Sequence, residues 1–202
     1  MKEKILKKAV DLFLKFGFKS VTMDDIAKEL AISKKTIYSH FSTKLKLVKA
    51  TTFYVFDQIN AGISNICMVH QNPIEEIYLV KSLVMEQLKG EKTSPQYQLQ
   101  KYYPKIFESL KQKQFESINE CITNNLKKGI ELEIYRKEID IDLITRLYFN
   151  GVMGIKNVDI FPVEEFTTPY LMDSYLEYHI RAIATEKGIT ILNEILKNEE
   201  IN

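Results

Sequence analysis

Three helix-start signals fall close together in the first 46 residues of the chain. A hydroxyl residue precedes a helical apolar pattern at Thr22, Ser33 and Thr43, and Asp25 follows Thr22 at the spacing of a capping box. Before them, residues 2–16 carry an apolar stripe at helical spacing. Because the connections are only a few residues long, these helices have little freedom in how they cross. The sequence therefore predicts a compact helix-turn-helix head.

The remainder of the chain also favours helices. Only 7 Gly and 5 Pro occur among 202 residues, and the hydrophobic content of 45% suffices for a substantial core. We predict an all-α protein of about nine to ten helices, with the helix-turn-helix head at residues 1–46 and a helical bundle body at residues 47–202.

Capping residues, Pro and Gly divide the body into predicted helices. We expect a helix from Lys44 to about Ile66, a second from Pro73 (capped by Asn72) to about Lys89 before Gly90, and a short one after Ser94 and Pro95. A longer helix should run from Pro104 to Lys128 and be closed by Gly129. Further helices are expected from Asp140 or Asp142 to about Asn157, from Pro169 to Lys187, and from Gly188 onward. Residues 129–140 alternate weakly, which predicts a strand-like turn.

The charge is distributed unevenly along the chain. The formal net charge is +1, but residues 1–50 hold twelve Lys against five acidic residues, so the remainder carries an excess of six negative charges. A basic head on an acidic body is the asymmetry expected when only the head meets phosphate groups.

The two cysteines, Cys67 and Cys121, lie far apart and lack the paired spacing of zinc or redox sites. We expect buried, reduced thiols, and neither a metal nor a cofactor. Lys7 and Asp11 interrupt the apolar N-terminal run, which indicates an amphipathic helix and not a secretion signal. No apolar stretch approaches the length of a membrane span, so we expect a cytoplasmic protein.

No pattern in the sequence indicates catalysis. His40, His70 and His179 are far apart, and none of them lies in a metalloprotease spacing. A phosphate-binding loop and a nucleophile elbow are also absent from the sequence. We therefore expect a protein that is not an enzyme.

Residues 22–48 read TMDDIAKELAISKKTIYSHFSTKLKLV. This segment resembles the helix-turn-helix signature of the TetR (tetracycline repressor) family. The residues that carry the resemblance are Thr22, Ile26, Ala27, Ile32, Ser33, Thr36, Ile37, Tyr38, His40, Phe41 and Lys44. Two positions depart from the family pattern. Ala31 stands where Gly is common, with a modest penalty if φ is positive there, and Leu45 stands where an acidic residue is common.

The resemblance implies that the helix after Ser33 enters the major groove of DNA while flanking residues hold phosphates. Lys34 or Lys35 can donate to guanine O6 or N7, and Lys44 is expected at a phosphate. The full set of expected DNA-binding residues is Thr22, Met23, Lys34, Lys35, Thr36, Tyr38, Ser39, His40 and Lys44. The alternatives are a solvated lysine pair, a Tyr38 that covers the head's core, and a structural His40.

For the body, the resemblance implies an effector pocket and a dimer interface. Expected pocket residues are Phe53, Phe56, Tyr78, Met85, Tyr102, Tyr103 and Phe107. Expected interface residues are Tyr148, Gly151, Val152, Ile155, Tyr175, Leu176 and Ile183. For both sets, the alternative is packing within the core of a single chain.

The resemblance thus implies a homodimeric transcriptional repressor that binds a palindromic double-stranded DNA operator and is released by a small apolar effector. The helix that begins at Lys44 runs from the expected DNA contacts into the aromatic body, so its tilting would move the two heads apart. The alternative is a helical adaptor that keeps the head but binds protein partners. The positive head argues against the adaptor, because such charge brings affinity for phosphate.

Overall fold

The computed structural model describes residues 1–69, 71–88 and 95–200, and the side chains among them up to residue 198. In these ranges the backbone forms ten α-helices and no strand: α1 (Lys2–Phe16), α2 (Met23–Glu29), α3 (Lys34–His40), α4 (Lys44–Val69), α5 (Pro73–Gln87), α6 (Pro95–Tyr102), α7 (Pro104–Glu131), α8 (Ile141–Gly154), α9 (Thr168–Ile183) and α10 (Glu186–Glu200). The predicted all-α class is confirmed. His70, Lys89, Gly90 and Ser94 lie outside the described residues.

The chain packs as two compact units. Unit 1 comprises residues 1–61 and 86–113, and unit 2 comprises residues 62–85 and 114–202. The predicted boundary after residue 46, between the helix-turn-helix head and the body, is a functional division and stays a prediction. Within the described ranges, no helix is both long and apolar enough to cross a bilayer.

Unit 1 has a core in which the first four helices meet. Its fully buried side chains include Ile5 of α1, Ile26 of α2, Ile37 of α3 and Leu47 of α4. Leu99 of α6 and Ile106 of α7 belong to the same cluster. The short helices of the head are thus stabilised by one shared apolar core rather than by helix propensity alone.

Unit 2 is built around buried side chains of five helices and the turn after α7. They are Ile74, Ile77 and Tyr78 of α5, Ile122 and Leu126 of α7, Ile134 and Tyr135 of the turn, Tyr148 and Val152 of α8, Met172, Leu176, Ile180 and Ile183 of α9, and Leu192 of α10.

The prediction that Gly129 closes a helix is wrong. α7 continues to Glu131, and Gly129 lies inside it with the ring of Tyr135 packed against its backbone. A Cβ atom at position 129 would lie 2.0 Å from the ring of Tyr135. The helix ends two residues later, where Glu133 has a positive φ of 58°. The N–H of Ile134 donates to the carbonyl of Gly129 there, as in a Schellman motif.

The predicted single helix from Pro169 to Lys187 is also wrong. α9 ends at Ile183, and α10 begins at Glu186. Between them, the N–H of Thr185 donates to the carbonyl of Ile134 at 3.0 Å, next to an antiparallel bridge between residues 135 and 184. The strand-like turn expected after α7 therefore pairs with the α9–α10 link, and this pairing interrupts the helix.

His179 of α9 is a buried histidine of unit 2. Its side chain is 6% exposed, and its Nε2 atom has no hydrogen-bond partner among the described residues. The rings of Tyr148 and Tyr175 lie 5.0 and 6.0 Å from the imidazole. Burial lowers the pKa of His179 from 6.5 to about 4. The folded chain thus holds a neutral imidazole, whereas the unfolded chain protonates it near its ordinary pKa.

We expect His179 to make the chain acid-sensitive. Since the folded pKa lies below the unfolded one, the stability is unaffected above about pH 7 and falls as the pH drops from about 6.5 towards 4. Between pH 8 and pH 5, the wild-type chain should lose about 2 kcal/mol more of its unfolding free energy than a His179→Gln variant. Urea unfolding of both chains over this pH range measures the difference. Parallel pH profiles for the two chains would contradict the assignment.

Candidate nucleic-acid interface

The sequence fixes the start of α2 through a capping box. The hydroxyl of Thr22 accepts from the N–H of Asp25 at 3.1 Å, and the carboxylate of Asp25 accepts from the N–H of Thr22 at 2.8 Å. These hydrogen bonds from Thr22 lower the pKa of Asp25. The cap satisfies backbone donors that the first helical turn leaves open.

A Schellman motif ends α2. The N–H of Ile32 donates to the carbonyl of Ala27 at 3.0 Å, and the N–H of Ala31 donates to the carbonyl of Lys28 at 3.1 Å. Ala31 adopts a φ of 50°, in the left-handed region that Gly occupies without penalty. Ala31 therefore adopts the positive φ for which a modest penalty was expected, and its backbone is strained there.

The next helix, α3, starts immediately after this turn. The N–H of Thr36 donates to the hydroxyl of Ser33 at 3.0 Å, which caps the helix. Ile37 is fully buried and anchors α3 on the core of unit 1. The opposite face of α3 is exposed and consists of polar and aromatic side chains: Lys34, Lys35, Tyr38, Ser39 and His40.

The exposed face of α3 is basic, but one of its charges is partly neutralised. The ammonium of Lys34 lies 2.7 Å from the carboxylate of Asp24, and both side chains are more than half exposed. The hydrogen bond to Asp24 raises the pKa of Lys34. Such an exposed ion pair contributes little energy, so its lysine remains available to a stronger anion. Asp24, which pairs with the expected DNA-binding Lys34, was not among the residues predicted from the sequence, although acidic residues are common in a first helical turn.

Lys44, at the first position of α4, is held more firmly. Its ammonium donates to the backbone carbonyl of Lys19 at 3.2 Å, which ties the start of α4 to the segment between α1 and α2. Burial lowers its pKa, against the opposing effect of the charge of Asp25. The hydrogen bond to Lys19 fixes the position of the Lys44 ammonium. Because the Lys44 side chain is partly exposed, its remaining N–H groups can reach a ligand.

Eight of the nine expected DNA-binding side chains are exposed or partly exposed in unit 1. The exception is Met23, which is 4% exposed and belongs to the core of the head. Its side chain stabilises the first turn of α2 and does not face solvent.

The expected pocket residues belong to both units. Phe53, Phe56, Tyr102, Tyr103 and Phe107 are in unit 1, while Tyr78 and Met85 are in unit 2. In unit 1, Tyr103 and Phe107 pack against the core, and the ammonium of Lys113 lies 5.8 and 5.9 Å from the ring centres of Phe53 and Phe56.

Unit 2 contains an open depression of about 640 Å³ between α5, α9 and α10. Tyr78 is the one expected pocket residue that lines it. The ion pair between Lys81 and Asp173, at 2.7 Å, lies in its wall. The remaining lining residues are Glu75, Leu79, Ser82, Ile195 and Asn198. This lining is more polar than the apolar pocket expected from the sequence.

Several expected dimer-interface residues lie in the core of their own chain. Leu176 and Ile183 are each 1% exposed, and Tyr148 and Val152 are each 8% exposed. Gly151 has the ring of Tyr175 over its backbone, and Ile155 packs against the same core. Other large apolar side chains of α8 and α9 are more than half exposed instead: Leu143, Leu147, Tyr170 and Tyr178.

A capped helix-turn-helix with a basic exposed face, as found in this chain, is typical of DNA-binding proteins. Residues 5–51 match the family model described as bacterial regulatory proteins, tetR family. Over these residues the chain is similar to TetR-family proteins.

Two curated relatives match part of the chain. The chain is 39% identical over 72 residues to the biofilm operon icaADBC HTH-type negative transcriptional regulator IcaR of Staphylococcus aureus, a match that covers 36% of this chain and 37% of that protein. It is 40% identical over 60 residues to the uncharacterized HTH-type transcriptional regulator YerO of Bacillus subtilis, which covers 29% of this chain and 21% of YerO. The chain thus spans little more than a third of the length of IcaR.

Solved structures share the fold over most of the chain. SmeT, the repressor of the Stenotrophomonas maltophilia multidrug efflux pump SmeDEF, superposes with a TM-score of 0.71 over 92% of this chain and 91% of SmeT, at 16% identity. A TetR-family transcriptional regulator from Agrobacterium tumefaciens gives a TM-score of 0.72 over 91% of this chain and 97% of that chain, also at 16% identity. At these identities, the likeness shows the fold.

We expect Ala31→Gly to stabilise the head. Glycine removes the clash that a Cβ atom suffers at positive φ, and this gain outweighs the entropy of the more flexible unfolded chain, for a net gain of about 1 kcal/mol. Urea unfolding of the variant and the wild-type chain measures the gain.

Ala61→Gly provides the matched control, because Ala61 is exposed in the middle of α4. There, the same substitution should destabilise by about 1 kcal/mol. A loss of stability at both positions would contradict the account of the α2–α3 turn.

Proposed function

We propose that this chain is a transcriptional repressor that binds double-stranded DNA through α3 and acts as a homodimer. The observation that carries the proposal is the exposed, basic face of α3, held in place by the Ser33 cap and the buried Ile37. The positive excess of residues 1–50 supports DNA as the partner. The names of IcaR, a negative regulator, and SmeT, a repressor, support repression. DNA binding implies a cytoplasmic location for the chain.

The proposed contacts fall into two classes. Lys34 and Lys35 lie at the N-terminal end of α3, which is the end that reads base edges when such a helix enters the major groove. Lys34 exchanges the carboxylate of Asp24 for a guanine edge or a phosphate oxygen as it binds. Lys44, fixed on the carbonyl of Lys19, holds a backbone phosphate and carries no sequence information.

The proposed dimer surface lies on α8 and α9. Leu143, Leu147 and Tyr178 expose more than half of their surface, and a Cβ atom at Gly154 would meet no neighbouring atom within 4 Å. We propose that these side chains meet the partner subunit, while Leu176 and Ile183 support them from within. Two-fold symmetry then requires a palindromic or near-palindromic operator.

A small effector is proposed to release the DNA. α4 begins at Lys44 in unit 1 and ends at Val69 in unit 2, so a ligand that favours one tilt of this helix affects both units. A coupling of roughly 1–3 kcal/mol would weaken operator binding about 5- to 150-fold, and the operator must weaken effector binding by the same factor. The aromatic side chains beside the unit 1 core support a largely apolar effector.

Selection of bound sequences from randomised duplex DNA tests the proposed function. The full chain should enrich a palindrome with half-sites about 10 base pairs apart or a multiple of that spacing, and its binding should weaken steeply with salt. Enrichment of no sequence, with salt-independent binding, would contradict the proposal and favour the protein-binding adaptor.

We expect Lys34 and Lys44 to affect DNA binding in different ways. Lys44→Ala should weaken binding to all sequences about equally and reduce the salt slope by about one, because one phosphate contact is lost. Lys34→Ala should change the base preference at one position of each half-site, at a cost of roughly 1–3 kcal/mol for that base. Titration of labelled duplexes at several salt concentrations distinguishes these results. The opposite pattern, with Lys44 setting the base preference, would refute the assignment.

We expect Leu147→Glu to weaken the dimer. A charge buried at the centre of an apolar interface costs at least about 2 kcal/mol, or roughly 30-fold in the dissociation constant. Sedimentation velocity measures the change, and circular dichroism checks that the variant is folded. Leu132→Glu is the matched control, because Leu132 is 41% exposed and follows α7. An unchanged dimer in Leu147→Glu, or a dissociated one in Leu132→Glu, would contradict the proposed surface.

A further inference from the structure

The chain has two cysteines, and the fold of unit 2 brings them together. Cys67 lies on α4 and Cys121 on α7, 54 positions apart, yet their Sγ atoms are 3.2 Å from each other. Both side chains are half-buried. Sequence spacing did not predict this proximity, because helix packing brings the two free thiols together.

The surroundings of the two thiols are held rigidly. Glu76 of α5 is 4% exposed, and one of its oxygens lies within 4.8 Å of both sulfurs. Its carboxylate accepts from the side-chain amide of Asn125 at 2.8 Å and from the ammonium of Lys128 at 3.2 Å. The hydroxyl of Tyr135 donates to the carbonyl oxygen of the Asn125 side chain at 3.2 Å. This hydrogen-bonded network fixes the wall behind the sulfurs.

We propose that Cys67 and Cys121 form a reversible intramolecular disulfide by exchange with small-molecule disulfides. The present separation of 3.2 Å exceeds a disulfide bond length of about 2.05 Å by only about 1 Å, which small side-chain rotations can close. The pair lies within a single chain and a single unit, so the bond requires no partner subunit.

A metal site fits these residues less well. Two thiolates bound to a tetrahedral zinc ion, each at about 2.3 Å, lie about 3.8 Å apart, which is further than the sulfurs here. Both oxygens of Glu76 already accept hydrogen bonds, one of them from the cationic Lys128. A cation would have to displace these donors to gain a third ligand.

The exchange proceeds in two balanced steps. The Cys67 thiolate attacks one sulfur of glutathione disulfide, so that a mixed disulfide forms and one glutathione thiolate leaves. The Cys121 thiolate then attacks the Cys67 sulfur, the Sγ–Sγ bond forms, and the second glutathione leaves. The two protein thiols give up two electrons to the glutathione disulfide, and their two protons end on the two glutathione molecules.

The order of attack follows from the environment of each thiol. Burial raises the pKa of Cys67, but the hydrogen bond with Cys121 acts in the opposite direction. Burial and the interaction with Cys67 both raise the pKa of Cys121. Cys67 is therefore the first nucleophile, and the reaction is slow near neutral pH and faster as the pH rises, because only thiolates attack.

Equilibration of the reduced full chain in glutathione redox buffers, without oxygen, tests the proposal. Alkylation with a polymer-linked maleimide counts the remaining thiols, and peptide mapping identifies the linked peptides. As the buffer becomes more oxidising, both thiols should disappear together into one peptide that joins residues 67 and 121. The oxidised chain should melt higher by roughly 5–15 °C, since the new link closes a long loop, and a reductant should reverse the shift.

The single variants Cys67→Ser and Cys121→Ser are matched controls. Cys121→Ser should accumulate the mixed disulfide with glutathione at Cys67, and the wild-type chain should hold about tenfold less of it because Cys121 resolves it. Cys67→Ser should form the mixed disulfide more slowly, because burial raises the pKa of Cys121. Two results would overturn the proposal. One is a wild-type chain that accumulates mixed disulfide as the variants do, or links only between chains. The other is a thiol pair that resists glutathione but is masked by stoichiometric Zn²⁺, which would indicate a metal site.

Discussion

The turn between α2 and α3 is the constraint on which the candidate interface depends. Its Schellman hydrogen bonds require a left-handed residue, and the chain places Ala31 there despite the steric cost. Together with the Ser33 cap, the turn fixes the angle at which α3 leaves α2. Ile26 and Ile37 can then share one core, and the basic side of α3 faces solvent. A different turn would bury the lysines or expose the isoleucines.

The core of unit 2 contains buried ionisable side chains in specific arrangements. Glu76 is buried with Asn125 and Lys128 as partners, whereas His179 is buried as a neutral ring between tyrosines. The His179 arrangement requires a neutral imidazole, since an unpaired buried charge is costly. The thiol pair beside Glu76 adds a group that responds to oxidation. The stability of unit 2 thus responds to pH through His179, and the proposed disulfide would make it respond to redox conditions as well.

Local signals in the sequence predicted the head well. The bounds of α1 and α3 follow from apolar periodicity and from caps such as Ser33, which act within three residues. The failures involve contacts beyond a single helical turn. Gly129 lies inside α7 with the ring of Tyr135 against its backbone, and the cysteines, 54 positions apart, meet because α4 packs beside α7. Helical periodicity likewise could not tell which face of α9 the chain buries, so Leu176, which is 1% exposed, was expected at an interface.

We propose that α3 and the first turn of α4 form the surface that meets DNA. Hydrogen–deuterium exchange of the full chain, with and without a duplex obtained by selection, tests it directly. The account predicts that the duplex slows amide exchange most strongly at residues 33–44, where the cap, α3 and Lys44 lie. Exchange that is unchanged at residues 33–44 in the bound chain, with the strongest slowing in α5 or α10, would contradict it.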